Sequence, residues 1–212
     1  MTGTGVSSQR TYQPTSGAAC IAPSYAADLE VLRAGIAGVI AQAKAVAGGL
    51  TDAQFNWKPS PDRWSVAQCL KHLALTGGMA AANQETAIGE LRAKDRRSDG
   101  PYSYRGLAAK MGNMLMKSVE PPVQKKFKTA KKVFPAEHHD RDALLGEFVR
   151  VHERLGANLD AAKGLDVGSV SVGLPVPLFR IALGQSLAFE IAHARRHLWQ
   201  AEQVRAAPGF PS

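Results

Sequence analysis

At 212 residues, with a formal net charge of +8, 45% hydrophobic and 21% charged residues, the chain is long enough to bury one core and has no internal repeat that would argue for two domains. No apolar run approaches the roughly 18 residues of a membrane helix, and the opening residues carry no apolar signal core, so no membrane partner and a cytoplasmic location are expected. Cys20 in the tail and Cys69 inside a predicted helix sit in settings too unlike to suggest a structural disulfide.

Met1 to Pro23, rich in Gly, Ser and Thr without periodicity, reads as a disordered tail (1–23). Residues 24–207 read as one all-α domain, because β-branched and aromatic runs of strand length are scarce. Leu29, Leu32, Ile36, Val39, Ile40, Ala43 and Val46 recur at helical spacing. They predict a first helix beginning after Pro23-Ser24 and ending at Gly48-Gly49. A short turn around Thr51 to Phe55 and two prolines separate it from the second.

That second helix is expected from Val66 to about Ala93. Ser65 is its N-cap candidate, since Gln68 stands at the third helical position to close a capping box, and Trp64 can pack as a staple on Cys69. The stripe Val66, Cys69, Leu70, Leu73, Gly77 and Ala80 faces the core, with His72 on its edge. Cys69 reads as a small buried hydrophobe rather than a nucleophile or soft ligand.

From Arg96 to Pro135 runs a long connection with a short helix predicted from Arg105 to Ser118. Its Met111, Met114 and Leu115 are expected to form a packing surface. Between Arg92 and Lys132 stand 12 Lys and Arg against 3 Asp and Glu, so the rest of the chain is nearly neutral. A patch of this kind attracts nucleic acid, an acidic membrane surface or an anionic small molecule, although a solvated loop is the plainer reading. Nucleic acid is not expected as a partner, because "KKFKTAKK" has one aromatic among its lysines and no groove-reading motif surrounds it.

Asp140 is the predicted N-cap of a third long helix with Leu144, Phe148, Val151, Leu155 and Leu159 on its inner face, stopping at Gly164. His152 borders that face and reads as a hydrogen-bonded bundle histidine, and His138-His139 as a solvated turn. After the loop "GLDVGSVSVGLPVP" the last helix is expected from about Leu178 to Ala206. Leu183, Leu187, Ile191 and Leu198 lie on one side, and Ser186, Phe189, Glu190, His193, His197 and Gln200 on another. Such a helix should touch protein on both sides, within the bundle or across a homodimer.

Four residues apart, His193 and His197 have Cβ atoms about 5–6 Å apart and can direct ring nitrogens at one point. That is ligand spacing for zinc or a neighbouring first-row metal, which takes neutral imidazole at roughly 2.0–2.2 Å. A His-x-x-x-His pair by itself more often marks surface or hydrogen-bonded histidines. A third ligand must come from another helix, and His72, on the core edge of the second helix, is the candidate. Glu190 is the candidate catalytic residue, as fourth ligand, general base or orienting acceptor for an imidazole, and Gln200 can orient one likewise.

"FNWKPSPDRWSVAQCLKHL" and "PLFRIALGQSLAFEIAHARRHLWQ" resemble the two specific blocks of the DinB/YfiT-like superfamily. In the first, a Trp-x-Pro segment and a Trp-Ser helix start precede a metal-binding histidine, here His72. The second resembles the family's last helix, with His-x-x-x-His followed by Gln, here His193, His197 and Gln200. The resemblance spans about Asp28 to Val204. It implies an up-down-down-up four-helix bundle, often dimeric, holding a divalent transition metal, nickel or zinc, at three histidines. The family includes thiol-dependent S-transferases and isomerases as well as hydrolases, and a thiol-dependent S-transferase using a low-molecular-weight thiol on a small-molecule substrate is the expected activity. A metal-dependent hydrolase and a non-enzymatic metal-binding or interaction bundle using its basic segment remain as alternatives.

Overall fold

A computed structural model of the chain describes residues 29–100, 102, 104, 106–119, 121, 129–174 and 179–212. The tail expected over 1–23, Cys20, the start of the first helix, and Lys125, Lys126 and Lys128 of the basic run lie outside the described residues. The architecture is mostly helical. Four long helices, α1 (Leu29–Ala47), α3 (Val66–Ala93), α5 (Arg141–Ala161) and α6 (Leu183–Arg205), carry the bundle; α2 (Asp52–Asn56) and α4 (Gly106–Val119) are shorter.

Cross-helix contacts set the directions. Gln42 donates to Glu202, and Gly35 faces Ile191, so α1 and α6 run parallel. Lys71 pairs with Glu147 and Gln84 donates its amide N–H to Ser186, so α3 runs with α5 and against α6. With α1 packing on α5 and α6, and α3 on the same two, the order is up, down, down, up, as the resemblance implies. The apolar stripes supply the core. Leu32, Ile36, Val39, Leu70, Phe148, Leu155, Leu159 and Leu198 are all at most 3% exposed, and each such side chain contributes roughly 1.5–3 kcal/mol by leaving water.

Helix starts follow local chemistry. The Ser65 hydroxyl accepts from the Gln68 amide at 3.1 Å while the Gln68 side chain accepts from the Ser65 amide, closing the expected box at α3. Asp140 accepts from Ala143 at 2.7 Å and caps α5. The turn expected around Thr51 is a further capped helix, α2, with its own Thr51–Gln54 box.

Two expectations need correction. The last helix begins at Leu183, not Leu178, because Arg180–Ala182 forms strand β2, antiparallel to β1 (Ser171–Gly173). Val172 and Ile181 pair across the ladder and are buried, but Ala182 is buried beside Ile181, so only β1 alternates, and strands of three residues leave little pattern in sequence. In α4 Leu115 packs against the core as expected, but the buried methionine is Met116, while Met114 is 65% exposed. The inner phase of that helix is Ala109, Gly112, Met116 and Val119, because α4 lies against α6. Gly112 permits the approach: a Cβ there would meet the Gln185 side-chain amide at 2.6 Å. Gln185 in turn donates to Ala109 and Asn113 and ties the two helices together. The wide burial of α6 thus arises within one chain, from α1, α3 and α4 packing on it.

Candidate metal centre

The capping box at Ser65 fixes where α3 starts and so the phase at which His72 enters the bundle, two turns later. Near the other end of the antiparallel α6, His193 and His197 arrive at the same level. Their ligand-capable nitrogens and that of His72 all lie within 4.8 Å of one another. The ring centroids stand 5.2 Å apart for His72 and His193, 4.7 Å for His72 and His197, and 4.8 Å for His193 and His197.

Two of the three rings are oriented by oxygen acceptors. His72 Nδ1 donates to the carbonyl of Val133 at 2.9 Å, and His197 Nδ1 to the side-chain oxygen of Gln200 at 3.1 Å. A carbonyl only accepts, so each of these Nδ1 atoms carries the hydrogen and each Nε2 carries the lone pair a metal requires. His193 differs. Its Nδ1 is buried without a partner among the described residues, a state that costs roughly 1–3 kcal/mol when nothing completes it.

Electrostatics keep the trio neutral. Burial pushes His193 down to about 3, with His72, Arg196 and His152 adding to the effect. Burial holds His197 well below the usual histidine value, helped by His193, His72 and Arg196 and opposed by its bond to Gln200. His72 is lowered by burial and partly restored by its bond to Val133. Neutral imidazoles, two of fixed tautomer and one with an orphaned nitrogen, form a donor set that can hold a divalent metal ion.

Aromatic rings enclose the cluster. Trp64 stacks on His197 at 5.5 Å and 23° and lies 5.0 Å from His72, with Phe134 edge-on to it at 5.9 Å. Phe189 stacks on His193 at 5.4 Å and 14°. Trp64, expected to staple Cys69, thus forms a wall of the site, a role its place before a capped helix does not reveal. The Val133 carbonyl belongs to a short 3-10 turn, Lys131–Val133, and no side-chain pattern could have pointed to a backbone oxygen.

The remaining candidates lie outside this trio of imidazoles. Glu190, one turn before His193, is 5% exposed, and burial pushes its carboxyl up to about 8. His152 is buried and donates to the Phe148 carbonyl at 2.8 Å, a bundle histidine as its position suggests. His138 is exposed, and His139 is held through its backbone by Asn56. Cys69 is fully buried, and burial pushes its thiol up, away from the thiolate a nucleophile needs. Among the described residues no helix is long and apolar enough to cross a membrane.

A family model described as DinB superfamily matches residues 36–201, a span that takes in all three histidines. No curated protein and no solved structure matches the chain.

Proposed function

The chain belongs to the DinB superfamily, and from that premise we propose that it is a divalent-metal-dependent thiol S-transferase acting on small molecules, its ion, nickel or zinc, held by His72, His193 and His197. The observation that carries the reading is the convergence of three neutral imidazoles, from two helices, within 4.8 Å. Three protein nitrogens would leave room on a bound ion for an exogenous ligand. When bound, the ion supplies a Lewis-acid position that lowers the pKa of a small thiol, or of water, brought to it.

The chain's own residues supply order and dryness. Val133 and Gln200 hold two rings in the ligating tautomer, so little reorganisation is needed on loading. Trp64 and Phe189 cover imidazole faces and exclude water from them. Lys131 and Lys132, exposed two residues and one residue before Val133, draw anionic thiols or substrates toward the same end of the bundle.

The test offers zinc- or nickel-loaded protein a panel of acidic low-molecular-weight thiols with an aromatic halide electrophile. Thioether formation that depends on the metal and is lost in His72→Ala is the expected result. Product formation from ester substrates without any thiol would transfer the assignment to a hydrolase. No turnover of either class by fully loaded protein would leave a binding protein.

A further inference from the structure

Two of the three imidazoles direct Nδ1 at an oxygen, and the third directs it at none. Around His193 the candidates for that missing acceptor are few. Ser186, two turns earlier on α6, accepts from Gln84, and His152 on α5 donates its Nδ1 hydrogen to Phe148 while keeping Nε2 as an acceptor. Glu190 is the carboxyl on α6 itself. It stands three residues before His193 on the same helix, a spacing that makes side chains neighbours. Helical side chains lean toward the N-terminus, and the stacking of His193 on Phe189 puts the imidazole over that same turn.

The carboxyl has no other employment. Glu190 is 5% exposed and makes no side-chain hydrogen bond among the described residues. An unpartnered carboxyl inside a bundle is unfavourable, so packing alone gives no reason for it to be there. One turn along the same helix, the His193 Nδ1 is buried without a hydrogen-bond partner among the described residues.

We infer that Glu190 is the positioning residue of His193, its carboxyl accepting the Nδ1 hydrogen when the imidazoles hold an ion, as Val133 and Gln200 do for the other two. This rests on the three-histidine metal reading and deepens it. It replaces a catalytic role with an orienting one: Glu190 reaches the ion only through His193.

Zinc affinity of the full-length, tag-free chain, measured by competition with a chromophoric chelator, tests the assignment in Glu190→Leu and Glu190→Gln, with His197→Ala as control. Glu190→Leu should bind zinc 10- to 100-fold more weakly, while its metal-free melting temperature stays at or above that of the unsubstituted chain. Glu190→Gln keeps an accepting oxygen and should stay within about threefold. Unchanged affinity in Glu190→Leu, alongside loss in His197→Ala, would overturn the positioning role and leave the metal site standing. Equal loss in the Leu and Gln variants would instead make Glu190 a direct ligand. No zinc binding by the unsubstituted chain would overturn both readings together.

Discussion

Two polar clusters lie inside the same helix triplet, one at each level of α6, and they are built on opposite terms. Toward its N-terminal end, Asn158 donates to Gln84 and to the Ala81 carbonyl, and Gln84 donates to Ser186. Every amide there meets a group of the same cluster, and the network closes on itself. Toward the C-terminal end the three histidines turn Nδ1 outward or leave it orphaned, and keep their remaining capacity for one another's midst. A closed network fastens helices, whereas an open one, of neutral nitrogens without donors among them, is arranged for something the chain does not itself supply.

The contrast is broken most forcefully by exchanging the consequences. His72→Ala should lower metal affinity at least 100-fold with little change in helicity, whereas Asn158→Leu should leave affinity unchanged and cost about 1–3 kcal/mol of stability by stranding Gln84. Isothermal titration and chemical denaturation of both variants read this out. If Asn158→Leu released metal as well, the two clusters would be one unit.

Acid sharpens the same distinction, since amides do not titrate and buried histidines do. His152 is held at about 4 in the folded chain by burial against about 6.5 unfolded. Below 6.5 the unfolded state therefore binds a proton that the folded state refuses. Its contribution is whole above 6.5 and is lost as pH falls toward 4, about 2 kcal/mol between pH 7 and 5. Metal-free His152→Gln should show a shallower fall in melting temperature over that interval, and an identical slope would contradict the burial argument.

A smaller effect belongs to the outer acceptors. Gln200→Leu frees the His197 ring and should weaken metal binding about tenfold, seen by chelator competition. Smallest is Ser65→Ala, which removes the cap of α3 for about 1 kcal/mol of stability. It should change metal affinity little unless the start of α3 sets the His72 position more tightly than a single hydrogen bond would suggest.

Much of this was legible because helices advertise themselves locally. The bounds of α3, the Ser65 and Asp140 caps and the inward placement of His72 all follow from 3.6-residue periodicity and from side chains that bond within three residues. What escaped depends on partners distant in sequence. Val172 and Ile181 pair between strands of three residues each, too short for a strand pattern to register. The inner phase of α4, with Met116 rather than Met114 inside, follows from its packing on α6, far along the chain. The Val133 oxygen could not be read, because a carbonyl is present at every residue and only the fold selects one. Glu190 was visible as a polar residue on the site face, but its burial without a hydrogen bond among the described residues is a fact of three dimensions.

Metal stoichiometry by elemental analysis tests the central claim most directly, comparing tag-free protein with His193→Ala after identical exposure to zinc and nickel and removal of free ion. One equivalent in the unsubstituted chain, absent from the variant while far-UV dichroism is retained, is the predicted result. Equal content in the two, or none in either, would contradict a metal site built from His72, His193 and His197.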